Sequence, residues 1–115
     1  MQTLYWQALT GKTLYRAPTS VLQDASAGPD AAAQRVEKAA AIEPVDGLWL
    51  DAQGRFYLSA LQDNAVKVMT PDGKITALAQ DPRLRWPDTF AQGPDGAIYV
   101  TASHIQDSPR FHEKG

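Results

Sequence analysis

The chain has 115 residues, with 11 Lys and Arg against 13 Asp and Glu and a formal net charge of -2. That balance gives no electrostatic footprint for nucleic acid and no basic block of the membrane-surface kind. There is no cysteine, so disulfides, thiolate zinc sites and cysteine nucleophiles are excluded, although the compartment is not thereby decided.

In chain order, residues 1–16 lack a basic segment followed by a long apolar one, so no signal peptide is read there. No stretch approaches the roughly 18 uninterrupted apolar residues of a membrane span. Leu4-Tyr5-Trp6-Gln7-Ala8-Leu9 and Thr13-Leu14-Tyr15-Arg16-Ala17-Pro18 have the pattern of strands. The next segment, 25–41, reads as an insertion. Asp30 is suited to cap a helix, and Ala31-Ala32-Ala33-Gln34-Arg35-Val36-Glu37-Lys38-Ala39-Ala40 are mostly strong helix formers, which predicts a short helix near 30–40.

Four strands follow in the reading, at about 47–51, 56–61, 65–70 and 74–79. Turns separate them at Ala52-Gln53-Gly54, Gln62-Asp63-Asn64 and Pro71-Asp72-Gly73, and Asp-Gly is a strong hairpin signal. The pattern then recurs. Asp46-Gly47-Leu48-Trp49-Leu50-Asp51-Ala52-Gln53-Gly54-Arg55-Phe56-Tyr57-Leu58-Ser59-Ala60 matches the segment from Asp88 to Ala102 at a spacing of 42 residues. Asp, Gly, Tyr and the final Ala coincide. Leu48 meets Phe90, Phe56 meets Ile98, Leu58 meets Val100 and Ser59 meets Thr101. The strands at 4–9 and 13–18 repeat those at 56–61 and 65–70 at a spacing of 52.

Four antiparallel strands in about 42 residues are the dimension of one propeller blade. The fold expected is therefore all-β: a partial β-propeller of about two four-stranded blades with one short inserted helix. Its divisions are a partial blade over 1–45, a complete blade over 46–87, and a partial blade with a polar tail over 88–115. Two blades and a fraction leave sheet faces uncovered, so the expected partners are remaining blades or self-association.

Nearly the whole chain resembles the C-terminal part of the Yellow and major royal jelly protein family, in its bacterial branch. The resemblance is carried by Leu4-Tyr5-Trp6-Gln7-Ala8-Leu9-Thr10-Gly11-Lys12-Thr13-Leu14-Tyr15-Arg16, Asp46-Gly47-Leu48, Asp81-Pro82-Arg83-Leu84-Arg85-Trp86-Pro87-Asp88-Thr89 and Pro109-Arg110-Phe111-His112. It implies a fragment of a six-bladed propeller that binds a small molecule, aromatic or amine, in its central channel and is inactive alone. Members of the family are often secreted or periplasmic.

A wider resemblance is to the regucalcin and gluconolactonase propellers, carried by Pro44-Val45-Asp46-Gly47. It implies the alternative, part of a metal-dependent lactonase-type hydrolase. Asp46 would then ligate a divalent cation such as calcium, completed by Glu and Asn from other blades. No cofactor is expected for this chain alone.

Asp46 and Asp88 both precede the first strand of a unit, where two carboxylates could face one channel mouth; hard oxygen ligands of that kind suit calcium. Asp at a strand entrance is also a common turn residue. Trp86, beside Pro87, either stacks on an aromatic or amine ligand or packs between blades. Thr89 completes the pocket candidates. Asp51 to Gly54 and Asp95-Gly96 read as hairpin turns, where Gly takes the positive φ. His104 and His112 are too far apart for a zinc pair. Ser59, Ser103 and Ser108 lack a nucleophile-elbow context, and no Gly-rich phosphate loop is present.

Overall fold

The structure, a computed structural model, describes residues 2–109; His112 and the Arg110-Phe111-His112 segment lie outside them. The described residues are mostly strand, in antiparallel sheets of three, four and two strands. The chain divides into two compact units, 1–43 and 44–115. The all-β expectation is met, and the middle sheet alone has four strands among the described residues.

The first unit consists of β1 (Thr3–Trp6), β2 (Thr13–Pro18), α1 (Thr19–Gln23), α2 (Pro29–Gln34) and β3 (Glu37–Ala41), with sheet order β1-β2-β3. Leu14 and Ala17 of β2 are fully buried, and Trp6 stacks on Tyr15 across β1 and β2 with centroids 6.0 Å apart.

The helix expected near 30–40 is shorter than the composition suggested. It ends at Gln34, and Glu37–Ala41 forms a strand on β2 instead. Ten residues make a marginal helix, and pairing overrides propensity here: Tyr15 faces Lys38 and Arg16 faces Glu37, with an Arg16–Glu37 ion pair at 2.9 Å. Nor does Asp30 cap the helix. Pro29 occupies the first position, which its fixed φ favours, so the cap falls on Gly28 and Asp30 lies within the first turn. The insertion is therefore residues 19–36, and β3 is a repeat strand in its own right.

The second unit consists of β4 (Val45–Leu50), β5 (Phe56–Ala60), β6 (Ala65–Met69), β7 (Ile75–Gln80), β8 (Pro87–Gln92) and β9 (Ile98–Ala102). The order β4-β5-β6-β7 is that of a meander, and β8 and β9 form a hairpin that packs on it. The turns β4–β5, β6–β7 and β8–β9 share one design. Gly54, Gly73 and Gly96 take φ of 81°, 88° and 85°, the left-handed conformation that closes a short hairpin loop. An Asp carboxylate ties each turn: Asp51 accepts the N–H of Gln53 and of Arg55, both at 2.9 Å, Asp72 that of Lys74 at 3.2 Å, and Asp95 that of Ala97 at 3.1 Å.

All five residues of β5 are buried, as suits a strand covered on both faces. Tyr57, Val66 and Phe90 form the core, with Trp49, Leu84, Ile98 and Val100 against them. Tyr57 and Phe90 meet at 6.3 Å between centroids, so one ring from the meander and one from the hairpin tie the two sheets together.

Candidate functional site at the bulged strand starts

The 42-residue repeat survives into the pairing register. Leu48 faces Leu58 and Trp49 faces Tyr57 in the first hairpin; Phe90 faces Val100 and Ala91 faces Tyr99 in the second. Each ladder is interrupted once, between Val45 and Leu48 and between Pro87 and Thr89. Asp46 and Asp88 occupy those two bulges, a feature that re-aims side chains and ends pairing near functional sites.

The bulges adjoin. A Cβ on Gly47 would collide with the carbonyl oxygen of Asp88, and would lie 3.0 Å from its carbonyl carbon and 3.4 Å from the Cα of Thr89. Only glycine lets β4 approach β8 so closely, and the two aspartates thereby come to the same end of neighbouring sheets.

Their carboxylates are held differently. The Ser59 hydroxyl, fully buried, accepts the N–H of Asp46 at 3.2 Å and of Gly47 at 2.7 Å. The Asp46 carboxylate is exposed and accepts the indole N–H of Trp86 at 2.9 Å. At the equivalent place Thr101 donates its hydroxyl to the Asp88 carboxylate.

Trp86 has φ 51°, a left-handed conformation that is a genuine outlier for a bulky residue and costs on the order of 1–3 kcal/mol. The surroundings impose it. The Ser103 N–H donates to the Trp86 carbonyl at 3.0 Å and the His104 N–H to that of Arg85 at 3.1 Å. Arg85 pairs with Asp107 at 2.6 Å, and a His104 ring nitrogen meets the Arg83 carbonyl at 3.0 Å. Behind it, Asp81 holds Arg83 through both guanidinium and backbone N–H groups. The side-chain hydrogen bond from Arg83, reinforced by its backbone N–H, lowers the Asp81 pKa to about 2. Pro87, next in line, is fully buried, while Trp86 is half-buried. The Trp86 carbonyl is thus held by the Ser103 N–H, and its indole N–H donates to the Asp46 carboxylate.

Of the sequence candidates, Asp46 and Trp86 are in direct contact, Asp88 and Thr89 share the adjoining bulge, and Thr89 is exposed. Ser59 and Thr101 were missed as bulge partners. Their signal was a hydroxyl residue at the same repeat position in otherwise apolar strands. Calcium requires six to eight oxygens. Among the described residues no three or more His, Asp or Glu side chains gather as a metal group, so the donors at Asp46 do not by themselves fit a calcium centre. No protein-family model matches this chain, and no curated protein matches it.

Proposed function

We propose that the chain contributes repeat units to a β-propeller of the Yellow and major royal jelly kind. In this reading, Asp46, Trp86, Asp88 and Thr89 form part of a channel mouth that binds a small aromatic or amine molecule. The observation that carries the reading is the repetition of one bulged strand start at Asp46 and Asp88, in the same register, where β4 abuts β8. The exposed carboxylate with a fixed indole beside it supports the ligand class, since a carboxylate accepts N–H donors and an indole face attracts a cation. The chain supplies one wall of the pocket and is inactive as an enzyme by itself.

Tyramine and calcium titrations of the 115-residue chain test the reading, followed by calorimetry and by the indole N–H resonances, with sedimentation to fix the mass. Saturable movement of the Trp86 indole resonance at millimolar tyramine is expected, with no measurable calcium heat. If tyramine leaves that resonance unmoved, the pocket reading fails. Tight calcium binding by the monomer would instead favour the lactonase-type alternative and a locally built metal site.

A further inference from the structure

The β8–β9 hairpin continues past the end of its ladder. Beyond the Pro87–Ala102 pair, residues 83–86 and 103–107 stay joined. The Ser103 N–H donates to the Trp86 carbonyl at 3.0 Å and the His104 N–H to the Arg85 carbonyl at 3.1 Å. The His104 ring meets the Arg83 carbonyl at 3.0 Å, and the Arg85 guanidinium donates to Asp107 at 2.6 Å. Asp107 anchors this clamp. Its other carboxylate oxygen lies 3.6 Å from His104 Nδ1, and its N–H donates to the His104 carbonyl at 2.9 Å, which closes the 3-10 turn Ile105–Asp107.

The backbone is strained in this clamp. Among the described residues, the non-glycine positions with positive φ are Asn64, Trp86 and His104. Asn tolerates that conformation. The other two, at 51° and 53°, sit in opposite arms of the clamp. Strain of this kind persists only where the surroundings over-determine it, and it gathers at ligand clamps and switch regions. Its effect here falls on one side chain. With its left-handed φ, Trp86 brings its indole N–H to 2.9 Å from the Asp46 carboxylate. A return to the ordinary negative-φ regions turns the backbone by roughly 110° or more and swings the indole off that line. Asp46 is fixed separately, since the buried Ser59 hydroxyl accepts its N–H and that of Gly47. The indole is therefore the movable half of the pair.

We infer that residues 103–107 are the positioning clamp of the Asp46–Trp86 site, with Asp107 and Arg85 as positioning residues. They act through the Trp86 backbone and hold the indole within reach of the carboxylate. Opening the clamp lets Trp86 relax and withdraws the indole. Only the effect on ligand affinity rests on the small-molecule reading proposed above.

The full chain tests this through the indole N–H resonances of its three tryptophans, with that of Trp86 assigned by Trp86→Phe. Asp107→Ala should move the Trp86 resonance while the circular dichroism spectrum stays unchanged. Asp107→Asn, which keeps the shape and loses the charge, should move it the same way by less, and Asp107→Glu should restore it. Coupling to Asp46 is the readout that a merely structural role would not move. Asp46→Asn should shift the Trp86 resonance in the parent and lose most of that effect in the Asp107→Ala protein. Arg55→Ala breaks another ion pair, at 2.7 Å in the β4–β5 turn, and as the control should leave the resonance in place. The tyramine dissociation constant should rise about threefold in Asp107→Ala, the worth of one half-exposed ion pair. A Trp86 resonance unmoved by both Asp107→Ala and Asp107→Asn overturns the inference. So does one that Arg55→Ala moves equally, or an Asp46→Asn shift of the same size with and without the Asp107 carboxylate. Failure of tyramine to bind the parent overturns the pocket reading instead, and the resonances decide the clamp without it.

Discussion

Gly47→Ala tests the close approach of β4 and β8. Gly47 is absent from the left-handed residues, so alanine meets no backbone penalty there. In open space such a change stabilises by about 0.4–1 kcal/mol through the unfolded chain. Here the new methyl meets the Asp88 carbonyl group and the Thr89 Cα. These are backbone atoms, and no side chain can rotate away. One strand must shift against the other, disturbing the Tyr57–Phe90 contact between the sheets. Overpacking of this kind costs about 1–3 kcal/mol, and a net loss of about 2 kcal/mol is expected. For a unit of this size that is a fall in melting temperature of about 8–16 °C. Urea unfolding followed by tryptophan fluorescence measures it, with Thr89→Ala as the control. Thr89 is the exposed residue at the equivalent repeat position, and its truncation should stay within about 0.5 kcal/mol. A Gly47→Ala protein as stable as the parent would refute the close approach and with it the shared end for Asp46 and Asp88.

Two further outcomes follow from the same region. Ser59→Ala leaves the Asp46 and Gly47 N–H groups without their acceptor, so a loss of about 1–3 kcal/mol is expected, read by the same urea titration; Ser59→Thr should recover part of it because Thr101 fills that place in the next unit. Asp81 has a folded pKa of about 2, below its ordinary 3.8, so its contribution is complete above about pH 4 and is lost as the pH falls through 2. Carbon-detected titration should place its carboxyl midpoint at about 2, and Arg83→Ala should move that midpoint upward.

The second unit was legible because its punctuation is local. The Gly54, Gly73 and Gly96 turns announce hairpins at short range, and the strands between them fall within a residue or two of expectation. The register was legible too, since equal spacing of Asp46 and Asp88 from their turns sets the same pairing in each hairpin. What was not legible depends on partners distant in sequence. Glu37–Ala41 looks helical until β2 recruits it. The left-handed Trp86 has no sequence mark, because its conformation is imposed by residues 103–107 across the hairpin. Asp46 and Trp86 were picked out separately, but their hydrogen bond joins positions 40 residues apart and only the folded hairpins bring them together.

The two copies of the bulge also separate the roles of their aspartates. Each copy needs a hydroxyl at the foot of the second strand, and each has one. Ser59 uses its lone pairs to satisfy two backbone N–H groups, so the Asp46 carboxylate is left facing outward with the Trp86 indole as its donor. Thr101 uses its proton on the Asp88 carboxylate, which is tied back into its own hairpin. A ligand at Asp88 must break a bond inside one hairpin, whereas among the described residues a ligand at Asp46 competes with a side chain reaching across from the neighbouring one. An exposed carboxylate also keeps unused acceptor positions beside the single indole bond. Of the two acids at the repeated bulge, Asp46 therefore keeps an outward-facing carboxylate, and Asp88 ties together the two strands of its own hairpin.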